Sequence, residues 1–153
     1  MARYSALLFA LAAILLAALP VAAAAPAKAY VNVPHCALDR NSAMSVPGGL
    51  DMNLYTTWVA KTKTEVHYYE RYAKLAVTVG GHAIANTPSY WGVLYYDPYD
   101  GGWAARWEYD AGVLPGGQSM NVVMKITLTR TISDGFATYP KGTVTYNCAV
   151  ATF

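Results

Sequence analysis

Hydrophobic and polar residues alternate most regularly in residues 120–131 and 143–152. A period of two predicts a β-strand in each segment, with one face turned towards a core. Lys125 interrupts the first alternation as a local slip, which predicts a bulge. The inward positions of the two strands are Val122, Met124, Ile126, Leu128, Val144, Tyr146, Cys148 and Val150.

Shorter strands precede these two. They are predicted at residues 30–34, 50–60, 64–69 and 72–79. Residues 65–75 also fit a helix, but their β-branched and tyrosine content favours strands. Pro34 is expected to end the first strand, and residues 36–49, which contain Pro47, are predicted to form a loop.

Residues 90–107 are rich in tyrosine and tryptophan on both sides of a turn sequence, Asp97-Pro-Tyr-Asp-Gly-Gly102. Pro98 presets φ for the turn, and the two glycines allow positive φ. The segment therefore predicts a β-hairpin with a short loop that carries a bulge. The chain as a whole reads as about eight short strands with no convincing helix. This pattern predicts an all-β fold, a β-sandwich or jelly-roll-like single domain over residues 36–153.

Residues 1–24 have the pattern of a secretory signal peptide, with Arg3, an apolar run and Ala22-Ala-Ala24 at the cleavage position. Cleavage after residue 29 is an alternative, and a retained membrane anchor is a less favoured one because the run is short for a bilayer. We expect a secreted, extracellular protein without membrane contact after leader removal.

The two cysteines, Cys36 and Cys148, lie near the two ends of the mature chain. In an exported protein they are expected to form one disulfide. The alternative is a reactive cysteine that is paired with one of the three histidines, His35, His67 or His82.

No catalytic signature is present in the sequence. Gly-x-Ser-x-Gly, His-Glu-x-x-His, a phosphate-binding glycine loop and Cys-x-x-Cys are all missing. We therefore predict that the protein is not an enzyme. The charged residues are few and dispersed, with a net charge of +2 for the full chain, so a nucleic-acid partner is not expected.

Carboxylates are concentrated in the predicted turns. Such acids suit a hard cation such as calcium, which needs several oxygen ligands. Aspartate is also common in turns because its side chain accepts hydrogen bonds from nearby amides. Both interpretations remain open for the turn acids Asp39, Asp51, Asp97, Asp100, Asp110 and Asp134.

The chain has 13 tyrosines and four tryptophans, which is many for its length. The rings of Trp91, Trp103 and Trp107 could form a carbohydrate-binding face or contacts between copies. The alternative is that about half of the aromatic rings belong to the core.

Short blocks along the mature chain resemble the cannula subunits, secreted proteins that build hollow extracellular tubules around hyperthermophilic archaea of the Pyrodictium type. The blocks are Val31-Asn-Val-Pro34, Cys36-Ala-Leu-Asp-Arg-Asn41, Val46-Pro-Gly-Gly-Leu-Asp51, Thr78-Val-Gly-Gly81, Tyr96-Asp-Pro-Tyr-Asp-Gly-Gly-Trp103, Ile132-Ser-Asp-Gly135 and Gly142-Thr-Val-Thr-Tyr146.

The resemblance implies a jelly-roll-like subunit that polymerises with copies of itself or close paralogues by donor-strand exchange. Residues 25–35 would then be the donor segment, with the strand Tyr30, Val31, Asn32 and Val33. It also implies calcium ions at or near the subunit contacts. The candidate ligands are Asp39, Asp97, Asp100 and Asp110.

Two functions from different classes follow. The first is a structural subunit that self-assembles into an extracellular tubule or filament. The second is a secreted monomeric carbohydrate-binding module that uses its exposed rings. The first is the prediction that we carry forward.

Overall fold

The computed structural model describes residues 27–38 and 44–153, so the predicted leader and Asp39 lie outside the described residues. The strands are β1 (Lys28–Asn32), β2 (Met44–Val46), β3 (Asp51–Ala60), β4 (Ala73–Val79), β5 (His82–Ala83), β6 (Tyr95–Asp97), β7 (Gly102–Val113), β8 (Ser119–Leu128), β9 (Ile132–Ser133), β10 (Thr138–Tyr139) and β11 (Gly142–Thr152). The helices are α1 (Val33–Leu38), α2 (Lys63–Tyr72) and a 3₁₀ helix, Thr87–Tyr90.

The strands form two main sheets. Sheet A has the order β1-β3-β7-β6, and sheet B has the order β2-β11-β8-β4-β5. The strands β9 and β10 form a separate two-stranded ribbon. The fold is therefore an all-β sandwich-like domain, as predicted, although the described chain contains eleven strands where about eight were expected.

The core lies between the two sheets. Trp107 is its largest fully buried side chain, and its indole N–H donates a hydrogen bond to the Thr87 carbonyl oxygen at 2.8 Å. The alternating positions of β8 and β11 point inwards, and Val122, Met124 and Cys148 are fully buried. Burial of this apolar area is the main stabilising contribution to the sandwich.

The prediction of a strand at residues 64–69 is wrong, because these residues belong to α2. Thr62 caps the helix: its hydroxyl accepts from the Glu65 amide, and the Glu65 carboxylate accepts from the Thr62 amide. This reciprocal capping box satisfies two amides that a helix start leaves free. Val66 and Tyr69 then face the core, so the capping signal and the apolar face outweigh the β propensity of the tyrosines.

Other local predictions also need correction. The predicted loop at residues 36–49 contains the end of α1 and the short strand β2. Pro34 lies in the first turn of α1, where its missing N–H costs nothing, so it starts a helix directly after the strand. The register between β8 and β11 is continuous from Ser119 to Leu128, so Lys125 marks no bulge.

The predicted hairpin is confirmed. β6 and β7 pair antiparallel, with Asp97 opposite Gly102 across residues 98–101. Gly102 has to be glycine, because a Cβ atom there would lie 2.7 Å from the Ala60 carbonyl oxygen. The first strand is shorter than predicted: Tyr90 ends a 3₁₀ helix, and Trp91 pairs with β7 only through an isolated bridge to Trp107. The register of β6 and β7 is continuous, so the paired residues show no bulge.

The predicted disulfide is confirmed: Cys36 in α1 is bonded to Cys148 in β11, across 112 positions of sequence. Disulfides of this kind are typical of exported proteins. In the part of the chain that the structure describes, no helix is long and apolar enough to cross a membrane.

Removal of the disulfide by a C36S/C148S double substitution should lower the free energy of unfolding by about 4–5 kcal/mol, because the bond closes a loop of more than one hundred residues in the unfolded chain. Urea unfolding of both proteins measures the difference. The wild-type protein in reductant should unfold at the midpoint of the variant. A midpoint that neither change moves would contradict this prediction.

Candidate functional site

Strand β3 is longer than the strand that covers its outer edge. β1 pairs with β3 only from Asp51 to Tyr55, and the chain then turns into α1. No other strand among the described residues pairs with residues 56–60 on that side. Half of β3 therefore presents an unpaired backbone edge.

Strand β11 has the same property on the same side of the sandwich. β2 covers it only from Val150 to Thr152, and the other neighbour of β11 in the described structure is β8, on its opposite edge. The edge of β11 from Gly142 to Ala149 therefore has no strand partner, and because α1 packs against it at Cys148, its open part is the half that begins at Gly142. Free edges of this length are templates for pairing with another strand.

A groove of about 730 Å³ lies between these two edges. Consecutive residues of each strand line it, Thr56 to Val59 from β3 and Gly142 to Val144 from β11. Successive side chains of a strand point to opposite faces, so consecutive lining residues indicate that the backbone edges themselves border the groove. We refer to this feature as the edge groove.

Aromatic rings form the inner wall of the edge groove. The Trp58 and Tyr69 rings stack with their centroids 4.0 Å apart, and the Tyr139 ring meets Trp58 edge-on at 5.0 Å. Burial raises the pKa of the Tyr69 hydroxyl, so this ring stays neutral. The Trp58 indole N–H is buried and has no hydrogen-bond acceptor among the described residues. An occupant of the groove could supply that acceptor.

The ribbon of β9 and β10 closes one end of the edge groove. Asp134 holds it together: its carboxylate accepts from the amides of Phe136 and Ala137 and from the Tyr139 hydroxyl, at 2.6–2.8 Å. Burial alone would raise the pKa of this carboxyl group, but the hydrogen bonds from Ala137, Tyr139 and Phe136 outweigh it and lower the pKa. Asp134 therefore has a structural role, because both of its carboxylate oxygens already accept hydrogen bonds.

The structure places the predicted calcium ligands in different regions. Asp97 and Asp100 share the hairpin turn, where Asp97 accepts from the Tyr99 and Asp100 amides at 2.9 and 3.4 Å, and Asp100 borders the edge groove. Asp110 lies towards the other end of β7 and accepts from the Gly112 amide. Within residues 27–38 and 44–153, no three His, Cys, Asp or Glu side chains form a group that could hold a metal.

The predicted donor strand is part of the subunit's own sheet. Tyr30, Val31 and Asn32 lie in β1 and pair in parallel with β3, while Val33 opens α1. Val31 and Val33 are fully buried in the core, and Tyr30 lies half-exposed on the outer face of sheet A.

The prediction that Trp107 belongs to an aromatic surface is wrong, because its side chain is fully buried in the core. Trp91 and Trp103 are partly buried, and the Lys63 ammonium lies 4.0 Å from the Trp103 ring centroid. The most exposed ring is that of Tyr99 at the hairpin tip, which is 96% exposed.

Sequence reasoning missed the aromatic residues of the edge groove, Trp58, Tyr69 and Tyr139. Local sequence does not show which strands border residues 56–60 of β3 or where those strands end. The available signal was strand length, since the predicted strand at residues 50–60 is much longer than the one at residues 30–34.

Searches against protein-family models, curated proteins and solved structures found no match for this chain. The edge groove and its surroundings therefore carry the functional argument alone.

Substitution of Asp134 by Asn should destabilise the fold by about 1–3 kcal/mol at neutral pH, because it weakens hydrogen bonds that a buried carboxylate accepts. A carboxylate with a lowered pKa stabilises the fold above its unfolded pKa of about 3.9, and this contribution is lost as the pH falls through the lower folded value.

Urea unfolding between neutral and strongly acidic pH tests both statements. The D134N protein should lose less stability than wild type on acidification. The exposed control D110N should retain the wild-type pH dependence. A D134N profile parallel to that of wild type would contradict the assignment.

Proposed function

We propose that the protein is a secreted structural subunit of the cannula type, which short blocks of its sequence resemble, and that copies join by strand addition into an extracellular filament or tubule. The observation that carries this proposal is the edge groove, with an unpaired strand edge on each side and an apolar floor. A groove of this form suits an extended polypeptide, which gains main-chain hydrogen bonds from the edge and side-chain contacts from the floor.

The dimensions support one strand as the occupant. The unpaired part of β3 is five residues long, which corresponds to about 17 Å of extended chain. The exposed apolar side chain of Val144 borders the place that such a strand would take, and the Trp58 ring lines the same groove.

The donor in this proposal is the N-terminal segment, residues 25–33, of a second copy. Because Tyr30, Val31 and Asn32 pair with β3 of their own subunit, donation requires β1 to leave that sheet and to pair with β3 of the next subunit. The incoming strand would pair with residues 56–60 of β3 in the edge groove, so each subunit exchanges one five-residue pairing on β3 for another of the same length, and residues 51–55 lose their partner. Pro34 marks the boundary where the chain would turn between copies, and Cys36 stays bonded to its own β11.

Export and calcium belong to the same proposal. The disulfide supports an oxidising compartment. Calcium would bind where carboxylates of two copies meet, since six to eight oxygen ligands are more than the turn at Asp97 and Asp100 offers by itself.

Assembly should stop when a charge is placed in the edge groove. Val144 is 52% exposed, so V144K should fold normally, but its ammonium group would have to be desolvated under an incoming strand. We expect mature wild-type protein with calcium to form polymers by light scattering and negative-stain microscopy, and V144K to remain monomeric under the same conditions.

The matched control is V93K, because Val93 is 88% exposed, lies outside the strands and does not line the edge groove. V93K should assemble like wild type. Equal assembly of V144K and V93K would exclude the edge groove as the contact. A wild-type protein that stays monomeric, with tyrosine fluorescence that responds to added glycans, would favour the carbohydrate-binding alternative, for which the exposed Tyr99 beside Asp97 and Asp100 is the supporting feature.

The double substitution D97N/D100N should raise the calcium concentration needed for half-maximal assembly by about tenfold or more, because two carboxylate ligands lose their charge. The amide oxygen of an asparagine at position 97 can still accept from the turn amides, so thermal unfolding without calcium should not change. Light scattering during calcium titration measures the shift. An unchanged midpoint would show that these acids do not bind the ion.

A further inference from the structure

The two sheets differ in the charges that they carry. The five strands of sheet B contain Lys74 and Lys125 and no aspartate or glutamate. Both lysines are exposed, and neither forms an ion pair with the described residues. Their positive charge is therefore uncompensated on the outer face of sheet B.

The outer face of sheet B is also formed mainly by short side chains. Residues that alternate in sequence with the buried core positions of β4, β8 and β11 lie on this face. Residues that are paired across the three strands form rows. The rows are Lys74-Thr127-Thr143, Ala76-Lys125-Thr145 and Thr78-Val123-Asn147. Short side chains of this kind leave an even surface with few projections.

The outer face of sheet A has the opposite sign. It carries Asp51, Asp97, Glu108 and Asp110 against two cations, Lys28 and Arg106. Arg106 lies 3.1 Å from Glu108 and 4.0 Å from the Tyr55 ring centroid, so this ion pair is neutral within the face and the excess negative charge comes from the other acids. Asp110 is exposed at its edge.

We propose that the outer face of sheet A on one copy binds the outer face of sheet B on a second copy. The acidic face, with the partly exposed rings of Tyr30, Tyr55 and Tyr95, would meet the flat threonine-rich face and its two lysines. Complementary charge sets the register of such contacts, and tyrosine supplies contact area at low entropic cost. The proposal rests on the proposed self-assembly and adds a contact separate from the edge groove.

The size of the contact limits its strength. Sheet A has four strands, and four strands at ~4.8 Å spacing with six residues at ~3.3 Å rise give a face of at most about 19 by 20 Å, so two faces together bury roughly 800 Å². This area is below the usual range for a specific interface. The contact should therefore be weak between two free copies and effective when many copies are already held in line.

The contact joins two different surfaces, so it is heterologous and each pair leaves one free face of each kind. Addition of copies can continue without closing into a dimer. This direction of growth is distinct from strand addition, and two such directions are what a wall, as opposed to a single fibre, requires.

The test uses the V144K background, in which strand addition is blocked, so that only the face contact is measured. Sedimentation velocity at low salt should detect weak self-association that added salt reduces, since the charges lie at the surface. Adding K74E/K125E should weaken the association by about tenfold or more, because like charges would then face each other. Adding D51K/D110K to that protein reverses both faces and should restore association.

The control is K61E/K63E in the same background, which changes the net charge equally at two exposed lysines outside sheet B. It should retain the association. No association of V144K at any salt concentration, equal loss in the control, or no rescue by D51K/D110K would overturn the proposal. Polymer growth by the wild-type protein is measured separately, so failure of the face contact and failure of strand addition are distinguishable.

Discussion

The edge groove depends on a mismatch in length between the long strands β3 and β11 and the short strands that cover their edges. β3 and β11 have ten and eleven residues, but β1 and β2 cover only five and three of them. β1 ends at Asn32, where the chain turns into α1 and brings Cys36 to Cys148. The sandwich is therefore well packed around Trp107 and open at Trp58 on the same inner face of sheet A.

Specific side-chain contacts also fix the open end of the sandwich. α2 brings Tyr69 under Trp58, and Asp134 fixes the ribbon that presents Tyr139. Three elements that are distant in sequence thus hold three rings in defined positions beside two unpaired strand edges. Burial of apolar area alone does not explain why these rings lie beside a groove.

Much of the fold was predictable because period-two alternation, turn sequences and a single cysteine pair are local or nearly local signals. The hairpin at Asp97 and Gly102, the inward faces of β8 and β11, and the disulfide follow from them. The helix at residues 63–72 was missed because the Thr62–Glu65 capping box was weighed less than the tyrosines. The edge groove was not predictable, since it depends on which strands are neighbours and where each one stops. The burial of Trp107, next to the partly exposed Trp103, depends on the same tertiary information.

The bond between Cys36 and Cys148 has a consequence beyond stability. Any single cut of the backbone between these positions leaves two pieces that remain covalently joined. The exposed turns at Tyr99 and Gly117, where a protease would act first, both lie inside this span. A chain that is nicked there remains one covalent molecule, so the strands on both sides of the cut stay together.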